Sequence, residues 1–322
     1  MTERVTSKFG HHSTAMEVVA GIDLRGKTAI VTGASSGLGI ETARALAAAR
    51  AEVILPVRNL EKGEAVAADI RATTSNEAVS VVELDLGDFA SIRRCTDEFL
   101  ATGKPLPILV NNAAIMACPL TRTEQGYEAQ FATNHLGHFL FTCRLIPALK
   151  SGAPSRVVNL SSLGHRLSPV VFDDIHFAQR EYNKWAAYGQ AKTANALFAV
   201  ELNRRLQSSG VTANAVHPGG IMTGLQQHLT REEMIASGWI DEAGNLHPVF
   251  KTIEQGAATS VWAATAPELE GKGGLYLEDC NEGEPAVPEK RTSGYFPHAL
   301  DKEAAARLWQ ISEEMVGEKF DL

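Results

Sequence analysis

Residues 27–48 read Lys27-Thr28-Ala29-Ile30-Val31-Thr32, Gly33-Ala34-Ser35-Ser36-Gly37-Leu38-Gly39, Ile40-Glu41-Thr42-Ala43-Arg44-Ala45-Leu46-Ala47-Ala48. The first run is short and apolar, as a buried strand should be, and the last is rich in helix formers. Between them a glycine turn lets a diphosphate approach the backbone, where the free N–H groups of the helix start can bind it. Gly33, Ser35, Ser36, Gly37, Leu38 and Gly39 are therefore expected to hold a dinucleotide. The spacing is G-x-x-x-G-x-G rather than the commoner G-x-G-x-x-G.

The pattern repeats along the chain. Glu52–Val57 is a second strand, ending at Arg58 and Asn59, where such a fold reads the adenosine ribose. No carboxylate stands between Pro56 and Leu60 to accept from a free 2′-hydroxyl, and the Arg58 guanidinium suits a 2′-phosphate. NADP is thus expected over NAD. Further strands are expected at 79–84, 107–110, 156–160, 211–216 and 274–277, with polar clusters at their ends: Asp85-Leu86, Asn111-Asn112-Ala113-Ala114, Ser161-Ser162 and His217-Pro218-Gly219. Strands alternating with helices imply an α/β, doubly wound, parallel seven-stranded Rossmann sheet with helices on both faces and ligands at the carboxyl ends of the strands. Residues 1–24 read as an N-terminal arm and 25–322 as a single domain.

Tyr188 and Lys192 stand four apart in a helix-forming segment, one turn above the other on one face. A phenol is a poor acid or base at neutral pH, and an ammonium beside it favours the phenolate. A shift of about three units requires roughly 4 kcal/mol. One lysine seldom supplies that, so a second positive charge, such as an oxidised nicotinamide, is expected nearby.

The composition excludes several classes. A formal charge of -8 argues against nucleic acid. The four cysteines lack metal-type spacing and read as reduced thiols; no metal is expected. The polar start lacks a secretory signal, and no apolar run spans a membrane, so a cytoplasmic location is expected. His11-His12 reads as solvated, and Thr14 with Glu17 has capping-box spacing for a short helix.

Taken together, Thr32–Gly39, Asp85, Asn111-Asn112-Ala113, Asn134, Ser162, Tyr188 with Lys192, and Pro218-Gly219 with Thr223 resemble the short-chain dehydrogenase/reductase family over residues 25–280. Phe131 to Phe139 and Leu275 to Cys280 are similar to its retinol-dehydrogenase-like branch, which also holds WW-domain-containing oxidoreductases and a chloroplast translocon-associated member. Similarity to the last extends into the arm, Phe9 through Asp23. Ala114 stands where a glycine often closes the Asn-Asn-Ala motif, and Ala191 where many members carry serine.

The resemblance implies an oxidoreductase in which Tyr188 is the acid/base and Lys192 binds the nicotinamide ribose and depresses the Tyr188 pKa. It further implies that Ser162, with Ser161 as its rival, holds the substrate oxygen, and that Asn134 carries a water linking Lys192 to solvent. Asp85 and Leu86 would lie at the adenine, Asn112, Ala113 and Ala114 at the riboses, and Pro218, Gly219, Ile221 and Thr223 at the nicotinamide. Loops 163–187 and 221–250 are expected to bind substrate, and their apolar residues suit a hydrophobic alcohol, aldehyde or ketone. A non-catalytic NADP-binding sensor is the alternative, disfavoured by the full proton-transfer set. A sugar-nucleotide epimerase lacks support in the glycine spacing. The family commonly dimerises through the Tyr188 and Asn134 helices, so Ala194, Ala196, Phe198 and Leu202 are expected at the interface of a homo-oligomer.

Overall fold

In the computed structural model, which describes residues 3–288 and 292–322, the apolar runs pair into one sheet. Its parallel strands are β1 (Thr28–Val31), β2 (Glu52–Val57), β3 (Val79–Glu83), β4 (Ile108–Asn111), β5 (Ser155–Leu160), β6 (Val211–His217) and β7 (Tyr276–Glu278). They lie in the order β3-β2-β1-β4-β5-β6-β7, so the winding reverses between β1 and β4. That switch point opens a crevice at the carboxyl ends of the strands. A two-residue β8 (Asn281–Glu282) follows antiparallel to β7. It was not expected, because two residues carry no periodicity and the turn into it uses Asp279 and Cys280, at φ 48° and 56°, in place of glycine.

Successive strand residues feed opposite layers, as the two-residue period requires. Ala29 and Val31 join a core with the helices α1 (Ala15–Val19), α2 (Leu38–Ala48), α3 (Leu60–Thr74) and α10 (Ile253–Thr265). Ile30 faces the opposite core, with α4 (Phe89–Ala101), α6 (Gly137–Arg144), α7 (Ile146–Ser151), α8 (Lys184–Leu206) and α11 (Lys302–Val316). Between α4 and α6, a short α5 (Ala129–Phe131) runs through a π-turn, Ala132–Leu136, directly into α6. A short α9 (Arg231–Ala236) lies within loop 221–250.

The arm is packed along most of its length. The Thr14–Glu17 capping box forms and starts α1, whose Ala15, Val18 and Val19 are buried in the first core. Farther upstream Val5 pairs with β8: its N–H donates to Glu282 Oε2 at 2.8 Å, and the Glu282 N–H donates to the Val5 carbonyl at 2.8 Å.

The face of α8 expected to meet a second subunit is covered by the chain's own α11. Ala194, Ala196 and Leu202 are fully buried and Phe198 nearly so. Trp309 fills the seam, edge-on to Phe139 at 5.0 Å, 5.9 Å from Phe198, with the Arg205 guanidinium 4.3 Å from its ring. A subunit contact through these residues would first have to displace α11. The polar-looking C-terminal segment hides this role, since the apolar stripe of Ala305, Leu308, Trp309 and Val316 shows only on a helical wheel.

Four histidines are interior: His135, His138, His165 and His217. Burial, the leading cause at each, lowers their pKa values to about 3, 4, 4 and 3.

Two stability outcomes are expected. Trp309→Ala should cost about 3–5 kcal/mol in chemical denaturation, the range for emptying a buried aromatic site. Acid should also destabilise early. The unfolded chain binds protons at these histidines near pH 6.5 while the folded chain does not, so their contribution is complete above about pH 6.5 and lost as pH falls toward 4. Urea midpoints should drop between pH 7 and pH 5; a flat profile there would show the rings charging within the fold.

Candidate active site

The crevice between β1 and β4 is built on close backbone approach. Gly33 has φ 68°, and a Cβ on it would lie 2.7 Å from the Ala113 Cα; one on Gly39 would lie 2.7 Å from Asn112 Nδ2. Only glycine lets the two loops meet. Asn112 fixes them there, its side-chain Nδ2 donating to the Thr32 carbonyl at 2.8 Å. Helix α2 begins at Gly37, φ 57°, with no side chain capping its first N–H groups, and half-buried Ser35 and exposed Ser36 flank the turn. Leu38 packs against Gly256 of α10. Arg58 is exposed at the tip of β2, and Asn59 caps α3 by accepting from the Lys62 N–H at 2.8 Å.

Past β3, Asp85 Oδ1 accepts from the Gly87 N–H at 2.8 Å, and the Leu86 carbonyl packs where a Cβ on Gly137 would stand. Ala113 and Ala114 are half-buried along the crevice. Opposite, Pro218 leads to Gly219 at φ 105°, seated on the side chain of Lys251, which is buried and paired with Asp279. Ile221 bridges to Lys251, and the Thr223 methyl would lie 3.3 Å from a Cβ on Gly37, closing the ring of loops. A glycine cradle and an uncapped helix start fit a dinucleotide diphosphate.

Helix α8 carries Tyr188 and Lys192 into the far end of this crevice. Asn183 caps it, its Oδ1 accepting from the Trp185 and Ala186 N–H groups at 3.0 and 2.9 Å. Lys192 Nζ, buried, donates to the Leu160 carbonyl at 3.0 Å and lies 5.6 Å from the Tyr188 ring centre. Ser162 stands beside Tyr188 across Gly164, and its Oγ accepts from the Gly164 N–H at 3.0 Å. Ser161 turns the other way, donating to the Lys192 carbonyl at 2.8 Å. Gly164 is required here: a Cβ would stand 2.8 Å from Tyr188 Cε1.

The electrostatics depart from expectation. Burial pushes the Tyr188 phenol up to about 12, with the neighbouring Ser162 hydroxyl opposing it, and burial lowers Lys192 to about 7. The pair is enclosed enough that lost hydration outweighs mutual attraction, so both groups are driven toward their neutral forms. Asn134 also differs. Its Oδ1 accepts from the Ile115 N–H and its Nδ2 donates to the Ile115 carbonyl, both at 2.9 Å, while its own carbonyl lies 2.9 Å from His138 Nδ1.

The two substrate loops divide. In the first, Val170 and Ile175 are buried in the α8-side core with Phe172 packed against it, while Phe177 lies beneath the Arg180 guanidinium at 3.8 Å. The Asp174 carboxylate locks that loop by accepting from Ala178, Gln179 and Arg180 N–H groups at 2.6, 3.2 and 3.0 Å. What remains over Tyr188 is an apolar cluster of Met116, Ala117, Trp185, Leu225, Leu229 and Trp239. Trp239 stands edge-on to Trp185 at 5.9 Å and to Phe250 at 5.8 Å, and Lys184 pairs with Glu233 of α9.

Met116, Lys251 and His217 went unassigned in the sequence. His217 Nδ1 accepts from the Leu163 and Gly219 N–H groups at 3.2 and 3.4 Å, tying the serine loop to the Pro218 loop. Its place beside Pro218 at a strand end was the one available signal. Among the described residues no group of His, Cys, Asp and Glu could hold a metal, and no helix is long and apolar enough to cross a membrane.

Comparison with known proteins agrees with this geometry. The short chain dehydrogenase family matches residues 27–234. A probable oxidoreductase of Streptomyces lividans is 46% identical over 298 residues, covering 91% of this chain and 98% of the relative. Retinol dehydrogenase 12 of Mus musculus is 42% identical over 297 residues, covering 92% and 88%. A crystal structure of an uncharacterised protein from Mycobacterium Paratuberculosis is 34% identical with a TM-score of 0.70, covering 94% of this chain and 98% of that one. The Pseudomonas aeruginosa RhlG/NADP active-site complex, 24% identical with a TM-score of 0.61 over 80% of this chain and 95% of its own, shares the fold. With its glycine cradle and the Ser162–Tyr188 pair at one end of the same crevice, this chain is a member of the short chain dehydrogenase family and an NAD(P)-dependent oxidoreductase.

Proposed function

We propose that the chain interconverts a hydrophobic alcohol and its aldehyde or ketone, with NADP(H) preferred over NAD(H). The observation that carries this reading is the juxtaposition of Ser162 and Tyr188, both packed against Gly164, at the base of the Met116, Trp185, Leu225, Leu229 and Trp239 cluster. A pure dinucleotide sensor has no use for a proton donor held beneath an apolar roof. The retinol dehydrogenase among the relatives supports an apolar substrate.

The dinucleotide supplies or takes the hydride. Everything else falls to the chain. In the reductive direction Ser162 donates a hydrogen bond to the substrate oxygen and holds it beside Tyr188. Tyr188, kept as the neutral phenol by burial, delivers its proton to that oxygen as the alcohol forms. Lys192, its pKa lowered by burial to about 7, returns a proton to Tyr188 from its ammonium form and is itself reprotonated from solvent, and it braces the end of β5 through the Leu160 carbonyl. Asn134 holds Ile115 and thereby the loop that separates cofactor from substrate. At the other end Arg58 meets the 2′-phosphate, the glycine turn and uncapped start of α2 meet the diphosphate, and Asp85 and Leu86 flank the adenine.

Tyr188→Phe should bind NADPH nearly as the wild type does, while carbonyl reduction falls by about 10²–10⁴-fold, the usual worth of a positioned acid. NADPH consumption with a panel of apolar aldehydes and ketones is the measurement, and full activity in the variant would remove Tyr188 from the role.

Arg58→Asp should weaken NADPH binding about tenfold or more and narrow or invert the preference over NADH, because a carboxylate repels the phosphate but accepts from a free ribose hydroxyl. Titrating both cofactors into both proteins tests it. Tighter NADH binding by the wild type would refute the NADP assignment.

A further inference from the structure

His138 lies outside the Ser162–Tyr188–Lys192 cluster, one helical turn beyond Asn134, and is buried. Its two ring nitrogens have different partners: Nδ1 lies 2.9 Å from the Asn134 carbonyl, and Nε2 lies 2.9 Å from Thr32 Oγ1. The proton positions follow from the partners. A carbonyl only accepts, so Nδ1 carries the hydrogen. The ring is neutral in this enclosed site, which leaves Nε2 as an acceptor. The Thr32 hydroxyl oxygen already accepts from the N–H groups of Asn112 at 2.9 Å and Ala113 at 3.1 Å. Both of its lone pairs are then used, and its single proton has two acceptors in reach, His138 Nε2 at 2.9 Å and the Val110 carbonyl at 3.4 Å, of which the nearer Nε2 is the better partner.

The result is a directed chain running from the Asn112 and Ala113 amides to the Thr32 hydroxyl, from there to His138 Nε2, and from His138 Nδ1 to the Asn134 carbonyl. It joins three separate elements: the end of β1, the loop after β4 and the π-turn that carries Asn134. The π-turn widens the helical ladder at Asn134, a distortion frequent at functional sites, and His138 engages the carbonyl there.

We propose that His138 is a positioning residue that couples the cofactor-binding loop to Asn134, each ring nitrogen serving one side. This rests on the oxidoreductase reading for its effect on turnover, though not for its effect on cofactor binding. The Nε2 side sets the Asn112–Ala113 loop against Thr32 and hence the seat of the dinucleotide. The Nδ1 side fixes the Asn134 carbonyl and hence Ile115 and the wall beside Tyr188.

Two substitutions separate the sides. In His138→Asn the amide nitrogen takes the place of Nδ1, keeping the donor to Asn134 but not reaching Thr32. In His138→Gln the terminal oxygen takes the place of Nε2, keeping an acceptor for Thr32 but losing the donor to Asn134. Losing one buried hydrogen bond is worth about fivefold in the property it supports. His138→Asn should therefore show its larger loss in NADPH affinity, and His138→Gln its larger loss in kcat with the best carbonyl of the panel. Thr32→Val removes the His138 link together with the acceptor for the Asn112 and Ala113 amides, so it should lose more NADPH affinity than His138→Asn, and the double variant should bind no worse than Thr32→Val alone.

NADPH affinity is read by titration without substrate. A merely structural histidine would lower affinity and kcat together in both variants, and additive losses in the double variant would show Thr32 and His138 acting separately; either result overturns the proposal. A wild type that binds NADPH but reduces nothing in the panel would instead refute the proposed reaction, leaving the affinity arms to decide the coupling.

Discussion

Everything in the site hangs on how closely the turn after β1 approaches the loop after β4. A side chain on Gly33 or Gly39 would collide with Ala113 or Asn112, so the crevice exists only because the chain omits atoms there. The gap is sealed by side-chain-to-backbone bonds, Asn112 holding the Thr32 carbonyl and the Thr32 hydroxyl holding two amides. These bonds are partly buried, and a missing partner would leave a poorly hydrated polar group, which holds the arrangement in place. The order of strands then determines which loops gather around the crevice, and Tyr188, Ser162 and Thr223 arrive from three of them.

Low polarity governs the chemistry as strongly as proximity does. Reading Tyr188 and Lys192 as a helix-face pair suggests mutual stabilisation of opposite charges, yet in the folded chain both shift toward neutrality. The difference is hydration. On an open helix each charge keeps its water, whereas beneath the Met116–Trp239 cluster that water is largely gone. Neutral histidines behind the site follow the same rule. A neutral phenol is the state that can give up a proton, so burial sets the protonation state in which Tyr188 acts as an acid.

Much of this was legible in the chain itself. The glycine turn, the strand ends and the Tyr188–Lys192 spacing are local features, and local geometry follows from local sequence. The parallel, doubly wound class of the sheet also followed, since β–α alternation leaves few topologies, whereas the strand order comes from the structure. What escaped depends on contacts between distant residues. Val170 and Ile175 look like pocket residues but are buried in the main core, because nothing local says which side of a loop faces the substrate. The four α8 residues assigned to a partner subunit are buried within the chain, Phe198 against Trp309 of a helix more than 100 positions later. His138 reads as one polar residue in an apolar helix until Thr32 is brought beside it.

The packing of the arm has a consequence for how the molecule is made. Val5 is bonded to Glu282, and α1 packs on α10, so these residues are synthesised more than 200 positions before their partners. A contact of that sequence separation closes late, after the loop-closure entropy of the intervening chain has been overcome. During synthesis Val5, Val18 and Val19 must therefore wait with their apolar surface in water, and the nascent chain is at its most vulnerable to misassociation before β8 emerges.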